Sequence, residues 1–85
     1  MSKPKPTEDQ LSVLGDTIHY AREAAGLTQE QLAEIIDCSP RWVQKLESCK
    51  SNPHWLTLMQ LCALLDIDAR ALQKDLGLKS LQGAL

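Results

Sequence analysis

Residues 28–47 read Thr28-Gln29-Glu30-Gln31-Leu32-Ala33-Glu34-Ile35-Ile36-Asp37-Cys38-Ser39-Pro40-Arg41-Trp42-Val43-Gln44-Lys45-Leu46-Glu47. Two helix starts lie within this stretch. Thr28 offers a hydroxyl N-cap, and Gln31, three residues on, completes a capping box. Ser39 is a second hydroxyl cap, followed by Pro40 in the first turn, where a missing N–H is not needed. The pattern predicts a short helix over about 29–36 that buries Leu32, Ala33 and Ile36, then another from about Pro40 to Ser48. Only Asp37 and Cys38 remain between them, so the turn is sharp. Ala33 is small enough to let the two helices approach. Leu32, Ile36, Cys38, Val43 and Leu46 are the apolar positions that hold them at a fixed angle. At about 100° per residue, Val43, Leu46 and Glu47 fall on one side of the second helix, and Arg41, Gln44, Lys45 and Ser48 on the other.

Toward the N-terminus, Leu11, Leu14, Ile18, Ala21, Arg22 and Ala25 follow the three-and-four spacing of one helix face, and Gly26 stands where that helix would stop. The residues before it include two prolines and two lysines with nothing to bury. Residues 1–9 therefore read as a flexible leader and 10–77 as the folded domain. Toward the C-terminus, Asn52-Pro53 breaks the chain. A fourth helix over roughly 55–65 turns Leu58, Leu61, Cys62 and Leu65 inward, with Trp55 packing on the core at its start. Asp68 caps a fifth helix that carries Ala69, Leu72 and Leu76 and ends at Gly77. The tail, 78–85, holds three leucines without a fixed period and reads as a dimer contact. Nothing alternates as a strand does, and nothing repeats. The expected class is all-α, with five short helices.

Eighty-five residues make one small domain, and 44% apolar content with 24% charged is globular composition, not that of a disordered chain. No apolar run is long enough to span a membrane, and the first residues lack the apolar block of a secretory signal. Three cysteines, an odd number, fit reduced thiols better than a disulfide framework. The expected location is the cytoplasm. Cys38, Cys49 and His54 fit no tetrahedral metal spacing, so neither metal nor cofactor is expected. No paired carboxylates, cysteine–histidine dyad or phosphate-cradling glycine loop points to an enzyme. Net charge is −2, with Glu30, Glu34 and Asp37 collected on residues 27–37 and Arg41, Lys45 and Lys50 on the segment that follows. His19, off the apolar stripe of the first helix, is expected in solvent, and Trp42 is expected as a packing residue.

Short helix, tight turn and short helix at the centre of a small chain is a helix-turn-helix arrangement. Leu14-Gly15-Asp16-Thr17-Ile18, Arg22-Glu23-Ala24-Ala25-Gly26-Leu27-Thr28-Gln29-Glu30-Gln31-Leu32-Ala33, Ser39-Pro40-Arg41-Trp42-Val43-Gln44-Lys45-Leu46-Glu47, Asn52-Pro53 and Leu58 through Ile67 together resemble the lambda-repressor-like domains of the XRE/Cro/C1 type. The resemblance spans about residues 11–76. It implies that the third helix enters the major groove of double-stranded DNA, with Pro40, Arg41, Gln44 and Lys45 toward the bases. Pro40 has no donor, so its contact would be apolar, and Lys45 serves a base or a phosphate. It also implies phosphate contacts from Thr28, Gln29, Ser48 and Lys50, and an internal ion pair between Arg22 and Glu47. Two departures stand out: Asp37 where the family prefers glycine, and Cys49-Lys50 where it often has glycine and then a base.

These features lead to the expectation of a sequence-specific transcriptional regulator, a repressor, binding as a homodimer through helix five and Leu78, Leu81 and Leu85. The alternative is an antitoxin or adaptor whose main partner is another protein, with DNA binding secondary or absent; the acidic net charge and the apolar tail favour it.

Overall fold

Every helix among the described residues starts on a side chain that satisfies its first amides and stops on a residue with left-handed backbone. The computed structural model describes residues 5–78 and contains α1 (Glu8–Ala24), α2 (Gln29–Ile35), α3 (Pro40–Glu47), α4 (Trp55–Leu64) and α5 (Ala69–Asp75). Thr7 and Gln10 form a capping box on α1, and Thr28 and Gln31 form one on α2. The Ser39 hydroxyl accepts from the Trp42 amide, the His54 Nδ1 from the Leu56 amide, and the Asp68 carboxylate from the amides of Arg70 and Ala71. At the other ends Gly26, Asp37, Cys49, Asp66 and Gly77 have φ of 73°, 56°, 66°, 56° and 72°. The residue after each sends its N–H back into the last helical turn: Leu27 to Arg22 O, Cys38 to Ala33 O, Lys50 to Lys45 O, Ile67 to Cys62 O and Leu78 to Gln73 O. These are Schellman closures, which satisfy the last carbonyls of a helix and reverse the chain sharply.

α1 starts before the apolar stripe that announces it. Glu8 and Asp9, expected in the leader, form its first turn because Thr7 and Gln10 cap it there. Gln10 does more: its Nε2 donates to the Leu76 carbonyl at 3.1 Å and so ties the start of α1 to the end of α5. The tail residues Leu81 and Leu85 lie outside the described residues, while Leu78 is half exposed.

The core is a single cluster in which Ile18, Leu32, Val43 and Leu61 are wholly buried, joined by Leu14, Ala33, Leu46, Cys62, Leu65 and Leu72. Burial pushes the Cys62 thiol up, so it stays an uncharged packing group. Trp42 and Ile36 pack on the cluster from its edge. Trp55 does not: at the first position of α4, beyond the packed length of the helix, it stands 67% exposed.

Gly15 marks a close crossing of α1 and α3. A Cβ there would lie 2.7 Å from the Leu46 carbonyl oxygen and 2.8 Å from the Cys49 sulfur, so α1 can meet the end of α3 only through a residue without a side chain. Gly26 is needed for a different reason. Its surroundings are open, but its φ of 73° is one that side chains resist. Replacement of Gly15 by Ala is expected to lower stability by about 1–3 kcal/mol through overpacking. Gly26→Ala is expected to cost about 1 kcal/mol through backbone strain. Urea unfolding followed by circular dichroism measures both; equal stability of Gly15→Ala and wild type would disprove the close crossing.

Candidate nucleic-acid interface

The Glu47 carboxylate is the last acidic group of α3, and its side chain is only 4% exposed. A buried carboxylate needs donors, and here they come from two other helices. Arg22 of α1 grips it with two N–H groups, Nε to Oε2 at 2.7 Å and Nη2 to Oε1 at 2.9 Å. The third arm of the same guanidinium, Nη1, donates to the Leu27 carbonyl at 2.6 Å, where the chain leaves α1. Gln29, at the start of α2, donates Nε2 to Glu47 Oε1 at 3.3 Å. His19 completes the group, with Nδ1 at 2.8 Å from Glu47 Oε1 and Nε2 against Glu23.

Burial pushes the Glu47 carboxyl up, but the hydrogen bonds from Arg22, His19 and Gln29 outweigh burial and hold it below the ordinary value of 4.5. Arg22 is raised in turn, chiefly by its hydrogen bond to Glu47 against the opposing effect of burial. His19 is therefore half-buried in an ionic network instead of standing in solvent. The signal was present in the sequence: His19, Arg22 and Glu23 are spaced three and four apart and share one face of α1.

With Glu47, Val43 and Leu46 turned inward, the opposite edge of α3 faces out. Pro40, Arg41, Gln44, Lys45 and Ser48 are all exposed. Among the described residues Arg41 and Lys45 form no ion pair. The edge thus presents a guanidinium, an amide and an ammonium with no intramolecular partner to displace. The Ser48 hydroxyl is partly committed, donating to the Lys45 carbonyl at 3.1 Å. Thr28 spends one hydroxyl lone pair on the Gln31 amide, which leaves its proton free. Gln29 directs an amide N–H at Glu47 and keeps a second one. Lys50 is exposed just beyond the turn at Cys49.

The two departures from the family pattern have one structural answer. Asp37 and Cys49 both take the left-handed backbone that glycine would supply, so both turns form without it. The acidic residues Glu30, Glu34 and Asp37 are exposed on α2 and its turn, and the uncovered bases lie on α3 and beyond. A polyanion would be repelled by the first group and attracted by the second. Among the described residues no three His, Cys, Asp or Glu side chains are gathered to hold a metal ion, and no helix is long and apolar enough to cross a membrane.

Residues 13–76 match the family described as helix-turn-helix domain. No curated protein matches the chain.

The Glu47 network predicts a specific acid sensitivity. A carboxyl whose folded value lies below its unfolded value stabilises fully above the ordinary glutamate range, and that stability is lost as pH falls through the lowered value. Glu47→Gln leaves the Arg22 charge buried without a counter-charge, and is expected to cost about 3–5 kcal/mol at neutral pH. The deficit should begin to shrink as pH falls past the ordinary 4.5 and close only below the lowered folded value, where wild-type Glu47 is neutral too. Urea titrations of both proteins across the acid range test this; a deficit that stays constant with pH would contradict it.

Proposed function

The chain belongs to the helix-turn-helix domain family, and from that premise we propose that it is a sequence-specific DNA-binding regulator, a transcriptional repressor acting in the cytoplasm as a homodimer. The observation that carries this reading is the outward edge of α3, where Arg41, Gln44 and Lys45 stand exposed. α3 enters the major groove with its N-terminal turn toward the base edges. Arg41 and Gln44 read bases, the first suited to guanine and the second to adenine. Lys45 serves a base or a phosphate, and Pro40 offers an apolar contact of the kind a thymine methyl accepts. Thr28 with its free hydroxyl proton, Gln29 with its second amide N–H, Ser48 and Lys50 hold phosphates and set the register without reading sequence.

Dimerisation follows from energetics. A domain with a few phosphate contacts and a net charge of −2 binds DNA weakly by itself, on the order of the 10⁻⁴–10⁻⁶ M of non-specific complexes. Two copies on half-sites about 34–36 Å apart add their contacts and supply the missing affinity.

Selection of bound duplexes from a random DNA pool at stated salt yields the operator, and variants are then measured against it. Arg41→Ala is expected to cost about 1–3 kcal/mol of affinity and to relax preference at one base pair. Gln29→Ala is expected to weaken binding to all sequences alike. Unchanged operator affinity for Arg41→Ala would remove α3 from the role of reading element, and a pool without enrichment would reject sequence-specific binding.

A further inference from the structure

α4 reads Trp55-Leu56-Thr57-Leu58-Met59-Gln60-Leu61-Cys62-Ala63-Leu64 and carries no charged side chain. A helix that is apolar on all sides is normally covered on all sides. Among the described residues α4 is covered on one side only, by the core around Leu61, Cys62 and Leu58. On the other side Trp55 is 67%, Leu56 53%, Leu64 42% and Met59 37% exposed. At about 100° per residue, Trp55, Met59, Ala63 and Leu56 share one contiguous arc of the helix surface. α5 differs. It turns Leu72 and Leu76 inward and exposes Arg70, Gln73, Lys74 and Asp75.

We infer that the outer face of α4 is the seam of the homodimer, covered by the same face of a second copy. The inference rests on the reading of the chain as a dimeric DNA-binding protein and moves the contact from the α5 end of the chain to α4. Two physical arguments select a second copy as the occupant. The first is charge. Each chain is net negative, so two copies repel weakly on average, whereas this face brings no charge to the contact and meets its own likeness without repulsion. A two-fold contact requires such self-complementarity. The second is area. The exposed apolar surface of the four large side chains is on the order of 400 Å², in the range of patches that mark interaction sites. Two such faces give about 800 Å², below the roughly 1,200 Å² of stable interfaces and in the range of weak, transient ones. The resulting dimer is weak in isolation and is reinforced when both halves sit on adjacent half-sites.

Sedimentation equilibrium of the full chain without DNA tests the seam. Wild type is expected to move from monomer to dimer with rising concentration. Met59→Glu, an outward substitution, and Leu56→Lys are each expected to weaken dimerisation at least tenfold while leaving the helical circular-dichroism spectrum and melting temperature close to wild type. Leu78→Glu is expected to leave dimerisation unchanged. A wild type that stays monomeric at millimolar concentration overturns the inference, and so do folded Met59→Glu and Leu56→Lys chains that dimerise as wild type does. A second readout separates this inference from the DNA-binding role: the Met59→Glu monomer should bind an isolated half-site as tightly as the wild-type monomer. Loss of half-site binding by wild type with dimerisation intact would refute the DNA role and leave the seam standing.

Discussion

The carboxylate of Glu47 is shut away from water and can remain charged there only because Arg22 and His19 from α1 and Gln29 from α2 donate to it. That requirement sets the rotation of α3 about its own axis. Turning the helix would expose Val43 and Leu46 and leave a buried charge unpaired, and either change is costly. With the inner edge fixed, Arg41, Gln44 and Lys45 have only one place to go. The same guanidinium also holds the Leu27 carbonyl at the exit of α1, so a single side chain links the last turn of α1, the turn after it and the end of α3. The polar edge is exposed because its opposite edge is locked.

Helices of seven to ten residues, the lengths of α2 through α5, do not persist alone in water. Their ends are fixed here by side-chain caps and left-handed closures, and their inner faces by one shared apolar cluster. The construction leaves little slack. The approach of α1 to the end of α3 depends on Gly15, whose missing side chain admits the Leu46 carbonyl. Asp37, Cys49 and Asp66 accept backbone angles that glycine would hold more easily. The turns of the central motif are therefore set by the hydrogen bonds that follow them as much as by the residue at the turn.

Much of this was legible in the residues themselves. Thr28 with Gln31, Ser39 with Pro40, and Asp68 announce helix starts because capping chemistry is local, and the buried leucines follow from helical spacing. What escaped depends on contacts distant in sequence. The start of α1 was missed because Thr7 and Gln10 lie outside its apolar stripe. Trp55, expected on the core at the start of α4, stands exposed, because the first turn of a helix can project past the elements it packs against. Gly15 gave no sign, since a glycine inside a helix shows its use only when the crossing partner is known. His19 was readable from its spacing to Arg22 and Glu23, but its tie to Glu47 reaches across the whole of α2 in sequence. For the interface, the residue types on α3 and their outward side were legible. The engagement of Gln29 and Ser48 with groups of their own chain was not.

The central claim, that the locked rotation of α3 delivers its polar edge to the bases, is tested most directly by a heteronuclear NMR titration of the chain with a duplex enriched from a random pool. The account predicts that the largest shifts, and the intermolecular contacts to major-groove protons, fall on Arg41, Gln44 and Lys45, while the side-chain signals of Arg22 and His19 stay in place because their network is not opened. Contacts that cluster on another helix, or a network that breaks as DNA binds, would contradict it.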